Sequence, residues 1–223
     1  MEEKTCKPTR KECPMRFNGP MVRALLAGRK TQTRRIVKDL PDWEITEICY
    51  DAGGTGKWMP NGPSPSGRGM AAGHWRLCPY GQPGDRIWVR ETLGYKADTG
   101  HFYAATGMHV GAALDYELEP PPSVGLPARV IADAHMPRWA CRIQLEIVSV
   151  RVERVNECSE TDALAEGIKG EACDHVRFSC EEIGCCGPTA KGMYAALWDV
   201  INGAGSWAAN PWVWVIQFKR VTP

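Results

Sequence analysis

Apolar residues recur at two spacings along this chain, and the switch between them sorts it into short helices and strands. Met21, Val22, Leu25 and Leu26 keep a helical spacing after Asn18-Gly19-Pro20 and stop at Gly28, which predicts a short helix. Thr31 to Val37, rich in Thr, Arg, Ile and Val, suits a strand. Arg86 to Arg90 (RIWVR) alternates Ile87 and Val89 with Arg86, Trp88 and Arg90. Cys141 to Val155 is the longest strand-like run. Its apolar phase switches near Val148, because Ile143, Leu145 and Ile147 share one face while Val148, Val150 and Val152 share the other, and a bulge is expected there. Ser159 to Asp162 has the form of a helix cap followed by a short helix that stops at Gly167. Met193, Leu197, Val200 and Ile201 predict another helix, closed by Asn202-Gly203. Trp212 to Val221 alternates throughout and predicts a central strand.

Between these elements lie segments with little apolar content. From Gly53 to Gly73, twelve of twenty-one residues are Gly, Pro or Ser, which reads as an inserted loop. The expected organisation is one domain over residues 15–223, with insertions at about 50–77, 95–135 and 170–188, after a flexible segment at 1–14. Strands of mixed length, few helices and no βαβ alternation predict an α+β fold, a small curved or closed β-sheet flanked by short helices.

Composition narrows the class. A hydrophobic fraction of 43% and a net charge of +1 fit a globular protein of 223 residues, and no apolar run is long enough for a signal peptide or a membrane span. A cytoplasmic protein without a membrane partner is therefore expected. In that setting ten Cys read as reduced thiols. Cys173, His175, Cys180, Cys185 and Cys186 lack the close CxxC pairs that favour zinc, so free thiols are preferred over a structural zinc, and no cofactor is expected.

Charge is balanced overall but not locally. Met15 to Lys38 holds seven Lys or Arg and no acid, centred on LLAGRKTQTRR at Leu25 to Arg35. A threonine hydroxyl becomes a nucleophile only when a base takes its proton. A lysine acts as that base when burial or neighbouring cations lower its pKa. Lys30 and Thr33 among Arg29, Arg34 and Arg35 have that form, against the plain alternative of a solvated lysine and a strand threonine. Glu166, at a helix C-terminus whose dipole disfavours anions, points to some further interaction that holds it. Glu91 is a second acid at a strand end. Trp88 and Trp207 are candidates for stacking on a base, although core packing is the commoner role of tryptophan.

Taken in order, LLAGRKTQTRR, PGDRIWVRE, SETDALAEGI and PWVWVIQFKRV resemble the ASCH domain of the PUA-like β-barrel superfamily, over about Val22 to Val221. His135 to Ala140 and Gly205 to Trp207 are similar to longer, tryptophan-rich ASCH proteins of phages and prophages. The resemblance implies a small barrel whose cleft takes RNA or a modified nucleoside. It also implies a site like that of ASCH amidohydrolases acting on N4-acetylcytidine, with Lys30, Thr33 and Glu166 as catalytic residues and Arg29, Arg35, Trp88, Arg90, Glu91 and Trp207 around the substrate. Glu166 matches more loosely than the other two, and this chain is about twice as long as those enzymes. The competing readings are a ribonuclease using the same cleft, and a non-catalytic RNA-binding or phage interaction module.

Overall fold

The computed structural model describes residues 10–96, 100–110, 129–168 and 189–221. Its main sheet is built from β1 (Glu12–Arg16), β2 (Gln32–Ile36), β6 (Arg86–Arg90), β10 (Gln144–Arg154) and β11 (Trp212–Val221) in the order β1-β6-β10-β11-β2. Two smaller antiparallel sheets accompany it. One holds β3 (Glu47–Tyr50), β4 (Trp58–Pro63) and β5 (Met70–Ala72), and the other orders β8 (Gly100–Tyr103), β7 (Leu93–Lys96) and β9 (Arg129–Ile131). The helices are α1 (Gly19–Leu26), α2 (Glu160–Ala165) and α3 (Ala190–Asn202). The result is a mixed α+β fold, mostly sheet with few helices. No helix among the described residues is long and apolar enough to cross a membrane.

Local chemistry explains several boundaries. The Asn18 side chain accepts from Met21 N to cap α1, Pro20 occupies its first turn, and Gly28 takes φ +70° just beyond its end. Ser159 and Asp162 exchange side-chain and backbone bonds in a capping box at α2. The register of β10 against β11 shifts between Ile147 and Ser149, so Val148 forms the expected bulge and lies exposed. β11 is hydrogen-bonded on both sides, to β10 and β2. Its Trp212, Trp214, Ile216 and Phe218 enter the main core, while Val213 and Val215 join a second core with α3.

The structure corrects four expectations. The Gly53 to Gly73 segment is not a bare loop: Trp58 is buried edge-on against Trp214, at 5.1 Å between ring centroids, and anchors β4, leaving glycine and proline to form turns. The N-terminal segment is ordered by Glu12, where β1 pairs in parallel with β6 and buries Cys13 and Met15. Helix α3 buries Ala190, Tyr194 and Trp198 and leaves Val200 82% exposed, because its two large rings are the side chains that pack with Val213 and Val215 in the second core.

The fourth correction concerns closure. Among the described residues no barrel closes, since β1 and β2 remain the edges of the main sheet. The sheet nevertheless curls far enough for one side chain to span the gap, with Arg35 Nη2 on β2 donating to the Arg16 carbonyl on β1 at 2.8 Å. An open seam takes the place of the last ladder, and the site lies along it.

Candidate functional site

Residues separated by more than a hundred positions meet beside β2. Helix α1 ends at Leu26, the chain turns at Gly28, and Lys30 is delivered beneath Glu166, which caps the C-terminus of α2. Lys30 Nζ donates to Glu166 Oε2 at 2.7 Å and to the Glu166 carbonyl at 2.9 Å. Both side chains are almost wholly buried, at 0% and 3% exposure. This pair supplies the interaction that an anion at a helix C-terminus requires.

The pair belongs to a longer array of charges. Arg34 Nη1 reaches Glu166 Oε1 at 3.4 Å, while its Nη2 meets Glu153 Oε1 at 2.7 Å and Asp162 Oδ2 at 3.3 Å. Arg151 closes the array on Glu153 at 2.8 Å and Asp162 at 3.0 Å. Lys30, Arg34 and Arg151 thus face Glu166, Glu153 and Asp162, three cations against three anions, which is how buried charge is tolerated.

Burial lowers the Lys30 pKa from its ordinary value, opposed by the Glu166 charge and hydrogen bond and reinforced by Arg35 and Arg34. Burial also raises the Asp162 carboxyl. Hydrogen bonds from Gln32 and Ser159 together with Arg34 outweigh that, leaving it well below the usual carboxylate range. Tyr194 is held firmly protonated, first by burial and then by the Glu166 charge it faces.

A cavity of about 340 Å³ opens here, lined by Thr33, Arg34, Arg35, Glu166, Tyr194 and Tyr80 among others. Among the described residues the buried Arg34 Nε has no hydrogen-bond partner. Side chains alternate along a strand, so Thr33 and Arg35 take one face of β2 and Gln32 and Arg34 the other. The cavity is lined by both because β2 is an edge strand. Thr33 is 1% exposed, and among the described residues no hydrogen bond joins its hydroxyl to Lys30 or Glu166. Lys30 itself does not line the cavity. Glu166, which Lys30 meets at 2.7 Å, does line it.

The remaining candidates are dispersed. Arg29 Nη1 donates to the Gly167 carbonyl at 3.2 Å on the outside. Arg35 lines the cavity, and Arg90 lines an adjoining cleft. Trp88 is not a free stacking platform, because the guanidinium groups of Arg90 and Arg138 lie 5.4 and 5.6 Å from its ring. Glu91 is 1% exposed, accepts from Arg142 Nε and Nη2 at 2.8 Å each, and does not line the cavity. Trp207 meets Tyr194 edge-on at 6.1 Å and supports it from behind, without lining the cavity. Glu91, Trp88 and Trp207, expected around the substrate, thus engage in ion pairing and packing, and none of them lines the cavity.

Cys173, His175, Cys180, Cys185 and Cys186 lie outside the described residues. Cys13, Cys49, Cys78, Cys141 and Cys158 are free thiols, and burial pushes Cys158 up to about 12, which makes it a poor nucleophile. Sequence reading missed Tyr194, Tyr80 and the acids Glu153 and Asp162. The available signal for Tyr194 was its place one turn before Trp198 on α3.

Scans against protein-family models, curated proteins and solved structures each returned no match for this chain.

Proposed function

We propose that the protein is an ASCH-type hydrolase that removes an acyl group from the amide of a modified nucleoside or base, N4-acetylcytidine being the type substrate. The observation that carries this reading is the buried Lys30–Glu166 pair presented at a cavity that Thr33 also lines. A carboxylate whose charge is balanced from behind by a lysine of lowered pKa can accept and return a proton without exposing the lysine to water.

In this reading Thr33 Oγ attacks the acyl carbonyl carbon, and its proton passes to Glu166. Arg34, with its unpartnered Nε, and the protonated Tyr194 hydroxyl supply positive charge and a donor for the developing oxyanion. The exocyclic amine leaves with the proton held by Glu166. Water then cleaves the acyl-threonine ester, releasing the acid and restoring the hydroxyl. The bound substrate bridges Thr33 and Glu166, which make no direct hydrogen bond.

The test is incubation of purified protein with N4-acetylcytidine and chromatography of the products. Cytidine and acetate are expected in equal amounts, with an acetyl adduct on Thr33 detectable by mass spectrometry after rapid quenching. Intact substrate after prolonged incubation, or undiminished turnover by Glu166→Gln, overturns the proposal. Binding without turnover would place the protein among the non-catalytic nucleoside-binding modules.

A further inference from the structure

Beside the Glu166 cavity, the seam between the two edges of the main sheet holds a second hollow of about 380 Å³. Three arginines line it: Arg16 on β1, Arg35 on β2 and Arg90 at the end of β6. Arg16, Arg35 and Tyr80 also line the first cavity, so the two spaces adjoin.

What distinguishes this hollow is uncompensated charge. Among the described residues no carboxylate lines it. Among the described residues neither Arg35 nor Arg90 has an acidic partner, in contrast to Arg34 a residue away, which has three. Arg35 donates to the Arg16 carbonyl at 2.8 Å, and Arg90 donates to the Ala134 carbonyl. Among the described residues the buried Arg90 Nε has no hydrogen-bond partner. Arg16 reaches Asp133 only at 3.9 Å, with its own side chain 66% exposed.

Bringing three guanidinium groups together around one space is unfavourable in the empty protein, because like charges repel and burial removes water. A dianion with several oxygens offsets both costs. The planar forks of arginine match phosphate oxygens closely, with fixed donor directions that a lysine lacks.

We infer that the seam is a phosphate subsite, so that the Glu166 cavity takes a nucleotide, free or within a strand, in preference to the unphosphorylated nucleoside, which it still accepts more weakly. The inference rests on the reading of that cavity as a base site. Tyr80, shared by both spaces, stands where the sugar between base and phosphate would pass.

The experiment is calorimetric titration of the full chain at low salt with four probes: N4-acetylcytidine, its 5′-monophosphate, a short RNA carrying the same base, and pyrophosphate. The monophosphate is expected to bind at least about tenfold tighter than the nucleoside, with a margin that shrinks as salt rises. R90Q should remove most of that margin. R16Q should reduce it, and because the Arg16 side chain is largely in solvent this variant tests the subsite without endangering the fold.

RNA binding tighter than the monophosphate identifies a strand as the source of the phosphate. Equal binding identifies the free nucleotide. Nucleoside and nucleotide of equal affinity, unchanged in both variants, overturn the subsite while leaving the base cavity standing. Pyrophosphate binding that R16Q and R90Q weaken, with no affinity for any base-containing probe beyond that of its phosphate, keeps the subsite and rejects the base reading instead.

Discussion

Two carboxylates in this molecule are equally buried and both face arginine, yet they are built for different ends. Glu91 gives both oxygens to one guanidinium, that of Arg142, at 2.8 Å each. Arg142 in turn reaches Thr106 Oγ1 at 3.1 Å and lies 3.7 Å from the centre of the Tyr103 ring. Nothing is left over, and Glu91 lines none of the described cavities. Glu166 divides its oxygens between Lys30 at 2.7 Å and a stretched contact to Arg34 at 3.4 Å, and it borders open space. A saturated bidentate pair fixes structure, whereas a divided one keeps capacity for a ligand.

The largest effect expected from this contrast is on turnover. Glu166→Gln keeps the size of the side chain and removes the proposed proton acceptor, and should lower turnover of N4-acetylcytidine by about 10²- to 10⁴-fold. Thr33→Val, which deletes only the hydroxyl, should match it if attack is covalent, while Thr33→Ser should retain activity. Glu91→Gln should leave kcat within a few-fold. A drop as large as that of Glu166→Gln would erase the distinction between the two acids.

In stability the ranking reverses. Glu91→Gln strands Arg142, whose guanidinium cannot discharge, and should cost about 3 kcal/mol in denaturant unfolding, somewhat less than a fully dry pair because Arg142 keeps 17% of its side-chain exposure. Glu166→Gln should cost less. Arg34 keeps Glu153 and Asp162, and Lys30 can shed its proton.

The two acids also differ in how far each could be read from the chain. Glu166 was conspicuous because an anion against a helix dipole needs a partner, and Gly167 marked the helix end. Glu91 reads only as a second acid at a strand end, since nothing local says that Arg142, fifty-one positions later, will hold it. The helix limits at Asn18 and Gly28, the capping box at Ser159 and the bulge at Val148 were legible because short-range rules govern them. The burial of Trp58, the aromatic face of α3 and the array joining Glu153 and Asp162 were not, since each depends on packing between distant segments. Barrel closure was misjudged for the same reason: strand patterns specify faces, and pairing of the last edge depends on curvature.

A smaller effect lies at the far end of the array. Asp162 has its carboxyl pKa depressed on folding, so it contributes stability above its ordinary value of 3.8 and loses it as pH falls through the folded value. Acid unfolding of the parent should therefore steepen below about pH 4, and Asp162→Asn should flatten that limb while lowering stability at neutral pH. Because Asp162 is partly exposed, the change should be smaller than for Glu91→Gln. An unaltered acid limb would remove Asp162 from the network.

The finest test uses alkaline pH to separate a lysine-backed acid from an arginine-backed one. In the Glu166→Gln variant, burial, Arg35 and Arg34 act on Lys30 without the opposing carboxylate, so its folded pKa drops further below 10.5 than in the parent. Between that folded value and 10.5 the unfolded chain binds more protons than the folded one, and stability rises with pH. The parent begins the same rise at its own, higher folded value. The stability gap between variant and parent is therefore full below the variant's folded pKa and closes as pH climbs to the parent's, each unit between them being worth about 1.4 kcal/mol. For Glu91→Gln the gap should stay flat over the same range, because Arg142 holds its proton throughout. Urea unfolding of both variants and the parent between about pH 6 and pH 10 reads the two gaps side by side. Parallel curves for Glu166→Gln would mean that Lys30 stays charged without its partner, which would remove the basis for passing protons through Glu166.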